Sequence, residues 1–160
     1  MIFSFRARST AGYALAAASL LWIGGFAKAQ LSNVGYRALG QPDLYQNALN
    51  LVQGQELQLP GGVATDSSDG PVHLYVADGQ NNRILAWKDA HAVQSGAPAD
   101  LILGQPSRSS TARFDMYGPS SLAVQPGTGD LFVADAGFNR VLRFPKPFAN
   151  PQRTNPAMVY

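Results

Sequence analysis

The chain has 160 residues, with 12 Lys and Arg against 10 Asp and Glu, two His and no Cys. Its formal charge of +2 disappears once Arg6, Arg8 and Lys28 of the N-terminal segment are set aside, leaving nine basic against ten acidic residues scattered singly; a nucleic-acid partner, which needs clustered Lys and Arg, is not expected. Without cysteine there are no disulfides and no thiolate metal ligands, so packing and strand pairing must hold the fold.

In chain order the first element is a targeting segment. Arg6 and Arg8 precede an apolar run from Ala11 to Phe26, followed by Ala27-Lys28-Ala29, the pattern of a secretory signal peptide over residues 1–29. The sixteen-residue run is shorter than the roughly 18–20 residues that span a bilayer core, and cleavage is expected before Gln30. The alternative is an uncleaved anchor, given the strongly apolar Leu20 to Ile23. Both readings put residues 30–160 outside the cytoplasm, secreted or periplasmic, with membrane contact during export. Their length suits one domain.

Beyond a loop at Leu44 to Leu51 with room for one helical turn, the chain reads as short strands. They are Val63–Thr65, Leu74–Ala77, Arg83–Trp87 and Leu101–Leu103, then Leu122–Val124, Leu131–Ala134, Arg140–Phe144 and Ala157–Tyr160. Clusters of Gly, Pro, Asn, Asp and Ser separate them. The second set echoes the first. Leu74-Tyr75-Val76-Ala77-Asp78 is matched by Leu131-Phe132-Val133-Ala134-Asp135, and Asn82-Arg83-Ile84-Leu85 by Asn139-Arg140-Val141-Leu142, both 57 residues on. Pro60 to Ala64 is matched by Pro119 to Ala123 at 59 residues, and Leu39-Gly40-Gln41-Pro42 by Leu103-Gly104-Gln105-Pro106. Self-similarity at a period of about sixty residues predicts an all-β repeat architecture, with units over about 39–102 and 103–160. Strands apolar on both faces predict sheets covered on both sides.

Pro-Gly-Gly-Val-Ala-Thr-Asp, Leu-Tyr-Val-Ala-Asp-Gly-Gln-Asn-Asn-Arg-Ile-Leu-Ala-Trp and Leu-Gly-Gln-Pro-Asp resemble NHL repeats, in particular their long-period bacterial secreted form. The resemblance covers residues 39–160. It implies a β-propeller, usually of six blades, that serves mostly as a binding surface and sometimes as an enzyme. The chain would then carry an N-terminal signal helix and a partial propeller of about two four-stranded antiparallel blades. Propellers close with about four to eight blades, so the sequence reads as an N-terminal fragment, to which further blades or copies would have to be added. The second unit departs from the first at Gln125, where Asp66 stands, and at Phe138, where Asn81 stands.

Asp78, Asn82 and Arg83 recur as Asp135, Asn139 and Arg140. A catalytic group is needed once and a turn brace in every unit, so these six are expected to be structural: the carboxylate accepts from turn amides and Arg, while Gly79 and Gly137 permit φ > 0. Trp87 and Phe144 are expected to fill the space between blades. The long connections Gln41–Leu59 and Gln105–Gly118 should emerge beside the turns at Gly79–Asn82 and Ala136–Asn139. Loops of that length are often functional, and Asp43, Tyr45, Asn47, Arg108, Arg113, Asp115 and Tyr117 are the candidate ligand-binding residues. His73 and His91 have no second ligand at metal spacing. Asp66 to Gly70 reads as a tight turn, since it lacks the alternating acids and terminal Glu of a calcium loop. No metal or cofactor is expected, and no hydrolase elbow, phosphate loop or dinucleotide fingerprint is present. The functional expectation is a non-catalytic scaffold for a protein, peptide or glycan. The alternative is part of a metal-dependent propeller hydrolase or lyase.

Overall fold

Short β-branched and aromatic runs between Gly, Pro, Asn and Asp turns give eight strands among the described residues. The structure is a computed structural model that describes residues 35, 37–45, 49–113, 115–152 and 155–160. The expected signal peptide and Asn47 lie outside these residues. Among the described residues no helix is long and apolar enough to cross a membrane.

The strands are β1 (Pro60–Asp66), β2 (His73–Asp78), β3 (Arg83–Trp87), β4 (Leu101–Leu103), β5 (Pro119–Val124), β6 (Leu131–Asp135), β7 (Arg140–Phe144) and β8 (Met158–Val159). They form two antiparallel four-stranded sheets, β1-β2-β3-β4 and β5-β6-β7-β8, each in sequence order. Among the described residues, helix is confined to two single 3-10 turns, Gly79–Asn81 and Ala136–Phe138.

The registers of the two sheets correspond. Val76 faces Leu85 and Asp78 faces Arg83 in the first, as Val133 faces Leu142 and Asp135 faces Arg140 in the second. Each first strand has an irregularity near its start, between Pro60 and Val63 and between Pro119 and Ser121. The first strands lie side by side with almost no space between them. A Cβ on Gly61 would stand 2.8 Å from the Ser120 carbonyl oxygen, and one on Gly62 3.0 Å from the Ser121 Cα.

Strand alternation decides what each face buries. One face of the first sheet, with Tyr75, Ala77, Ile84 and Ala86, packs on the face of the second that carries Leu131, Val133, Leu142 and Phe144; Leu103 and Met116 fill the same cluster. The other face of the first sheet, with Val76, Leu85, Trp87 and Ile102, is covered by Leu39, Leu57, Val93 and Ala99. Trp87 therefore packs under the connecting segments, its indole N–H donating to the Ala97 carbonyl at 3.1 Å, and only Phe144 lies between the sheets. The expectation of two covered faces holds for the first sheet alone. On the second, Val141 is 38% exposed and Phe132, Ala134 and Arg143 are half-buried, whereas their counterparts Ile84, Tyr75, Ala77 and Ala86 are all fully buried.

Candidate functional site

Each β2–β3 and β6–β7 turn is built on one carboxylate. Asp78, fully buried, accepts from the Gln58 amide (2.7 Å), Asn81 Nδ2 (2.8 Å) and Arg83 Nε (2.7 Å). Asp135 accepts from the Tyr117 amide and Arg140 Nε, both at 2.7 Å. Neither carboxylate caps its own 3-10 turn; each reaches back to the loop that enters its sheet. The guanidinium then clamps that loop two residues earlier, Arg83 on the Glu56 carbonyl and Arg140 on the Asp115 carbonyl.

The glycines in these turns act differently from expectation. The positive φ falls on Asn82 and Asn139, both at 54°, an excursion that Asn tolerates better than most residues. Gly79 is needed for closeness, because a Cβ there would meet the Leu59 carbonyl oxygen at 2.8 Å; Gly137 is hemmed in likewise by Tyr117.

Asn82 carries the brace onward to the next loop. Its side-chain amide donates to the Thr111 carbonyl, and its oxygen accepts from the Gly118 amide, both at 2.9 Å. Gln105, of the repeated Leu-Gly-Gln-Pro, donates to the carbonyls of Asn82 and Ala112 at 2.7 Å. The recurrence of that motif was the signal for this role. In the second sheet Asn139 is exposed and has no hydrogen-bond partner for its side chain among the described residues.

Of the candidate ligand-binding residues, several are tied into the framework. Asp43 accepts from the Tyr45 amide at 2.8 Å, and Tyr45 is 95% exposed. Arg108 donates to the Ala99 carbonyl, while its own carbonyl and that of Asp115 receive Arg83 and Arg140. Arg113 and Tyr117 come together: the guanidinium lies 4.4 Å from the Tyr117 ring centroid, and Phe138 stands edge-on to that ring at 5.6 Å. With Leu59, Gly79, Gln80, Asn82 and Gly118 they line an open cleft of about 470 Å³ where the two sheets meet at this end. An aromatic ring topped by a cation, with the exposed Gln80 in the same lining, offers stacking and hydrogen bonding without a nucleophile or a paired acid and base. Asp43 and Tyr45 are not among its lining residues.

No family model matches the chain, and comparison with curated proteins finds no match.

Proposed function

We propose that the two sheets are neighbouring blades of an NHL-like β-propeller, and that the protein is an extracytoplasmic, non-catalytic scaffold binding a glycan, peptide or protein at the Arg113–Tyr117 cleft. The observation that carries the reading is the correspondence of the sheets. Order, register, carboxylate brace and left-handed Asn all repeat, and the Asn82 link joins one sheet to the next. The part-exposed face of the second sheet, and Asn139, whose side chain has no partner among the described residues, correspond to the surface that the first sheet uses to hold the second.

The non-catalytic part is supported by the first strands. Their exposed side chains Val63, Thr65, Ser121 and Ala123 include no ionisable group, and the ionisable residues of the braces are consumed in hydrogen bonds. Binding is tested by screening the full chain against glycan and peptide arrays and repeating the positive interactions with Tyr117→Ala and Arg113→Ala. A loss of about tenfold or more in each variant is expected for a stacked contact. Unchanged affinity in both would move the binding surface elsewhere.

A further inference from the structure

At the opposite end of the first sheet, the β1–β2 turn brings together Asp66, Asp69 and His73. One potential ligand atom from each lies within 4.8 Å of the others. Asp66 and His73 are buried, while the Asp69 side chain is 43% exposed and leaves an approach from solvent.

Each imidazole nitrogen of His73 faces an oxygen. His73 Nδ1 is 2.6 Å from the Lys88 carbonyl and Nε2 is 2.8 Å from Asp69 Oδ1. A carbonyl can only accept, so Nδ1 donates to it, and Nε2 is the nitrogen left facing the carboxylate. That is the orientation of a metal-bound histidine, whose other nitrogen donates to a backbone carbonyl.

A second, independent observation comes from Tyr75. It lies two residues along β2 from His73 on the same side of the strand, and both rings pack on Phe148, at 5.8 and 4.2 Å. Tyr75 is fully buried, and its hydroxyl has no hydrogen-bond partner among the described residues. A buried hydroxyl without a protein partner is rare, and a bound water or ion is one way to satisfy it.

The cluster also has no counterpart in the second sheet. Gln125 stands for Asp66 and Asp130 for His73, and Asp130 is committed to Arg143. The brace at the other end recurs because every sheet needs one; this group does not recur.

We propose that Asp66, Asp69 and His73 form a binding site for a divalent first-row transition metal, Zn²⁺ in particular. One imidazole nitrogen with two carboxylate oxygens suits zinc, whereas calcium and magnesium take oxygen ligands. The site goes beyond the proposed scaffold role and does not depend on it.

The test is calorimetric titration of the chelator-treated full chain with ZnCl₂, with thermal melting in parallel. One Zn²⁺ per chain and a raised melting temperature are expected. Asp69→Asn, at an exposed position, should weaken binding at least tenfold, and His73→Gln should abolish it, while His91→Gln, altering the other histidine, leaves it unchanged. Absence of stoichiometric binding, binding indifferent to Asp69→Asn, loss of binding in His91→Gln, or a preference for Ca²⁺ over Zn²⁺ would each overturn the assignment.

Discussion

Replacing Asp78 by Ala leaves the Arg83 guanidinium uncompensated in a site where neither side chain is exposed to solvent. It also removes the acceptor for the Gln58 amide and for Asn81. Breaking a buried ion pair from one side costs about 3–5 kcal/mol, and the two further lost bonds place the variant toward the upper end. The equivalent Asp135→Ala differs in one respect: the Arg140 side chain is 29% exposed, so water can solvate the orphaned cation, and about 1–2 kcal/mol is expected. Urea unfolding at matched m-values measures both, and the gap should be about 2 kcal/mol or more. Because the Asp78→Ala cost is mainly that of a stranded charge, the double variant Asp78→Ala/Arg83→Met should recover part of it. Equal costs for the two Asp variants, or no recovery in the double variant, would refute the claim that burial of the pair sets its energetics.

Asn82→Ala should cost about 2–3 kcal/mol and Asn139→Ala about 1 kcal/mol, since both lose a residue tolerant of left-handed backbone but only Asn82 loses two hydrogen bonds; thermal melts of the pair read the difference. Gly61→Ala should destabilise by about 1–3 kcal/mol, because the new methyl meets the Ser120 backbone rather than a movable side chain, and a melting temperature equal to that of the parent would show that the first strands are not so closely apposed. Burial alone would raise the Glu56 carboxyl pKa, but hydrogen bonds from the Gln53 and Glu56 amides and from Gln55 outweigh it and hold the value below the ordinary 4.5. A depressed carboxyl contributes stability that is complete above its unfolded pKa and is lost as pH falls through the folded one. The urea midpoint should therefore decline on acidification below about pH 4.5, and less steeply in Glu56→Gln.

Much of the fold was legible in the residues. Leu74 to Ala77, Arg83 to Trp87 and Leu101 to Leu103 are strands within a residue of where their apolar runs and Gly, Asn and Asp boundaries put them, because strand and turn chemistry are both local. The role of Gly79 was not legible, since its small size answers to a Leu59 carbonyl twenty residues away in sequence, and composition carries no information about such approaches. Trp87 matches Phe144 and so reads as packing between the sheets, yet its side of the first sheet is covered by Leu39, Leu57 and Val93, a long-range packing that a repeat comparison cannot reveal. The Asp66–Asp69–His73 group escaped for the opposite reason: its ligands are close in sequence, but the spacing is that of no standard metal loop. Only the pairing of Asp66 with His73 across β1 and β2 brings them together. The Arg113–Tyr117 contact was half visible, as two residues of one long loop whose meeting over the cleft depends on the Asn82 and Gln105 bonds.

Sedimentation velocity of the chain over a range of concentrations tests most directly whether the open face of the second sheet is made to receive another sheet. With Val141 exposed and Phe132 half-buried there, concentration-dependent self-association is expected, and Val141→Asp should abolish it without lowering the melting temperature. A monomer at every concentration, or association that Val141→Asp leaves untouched, would contradict it.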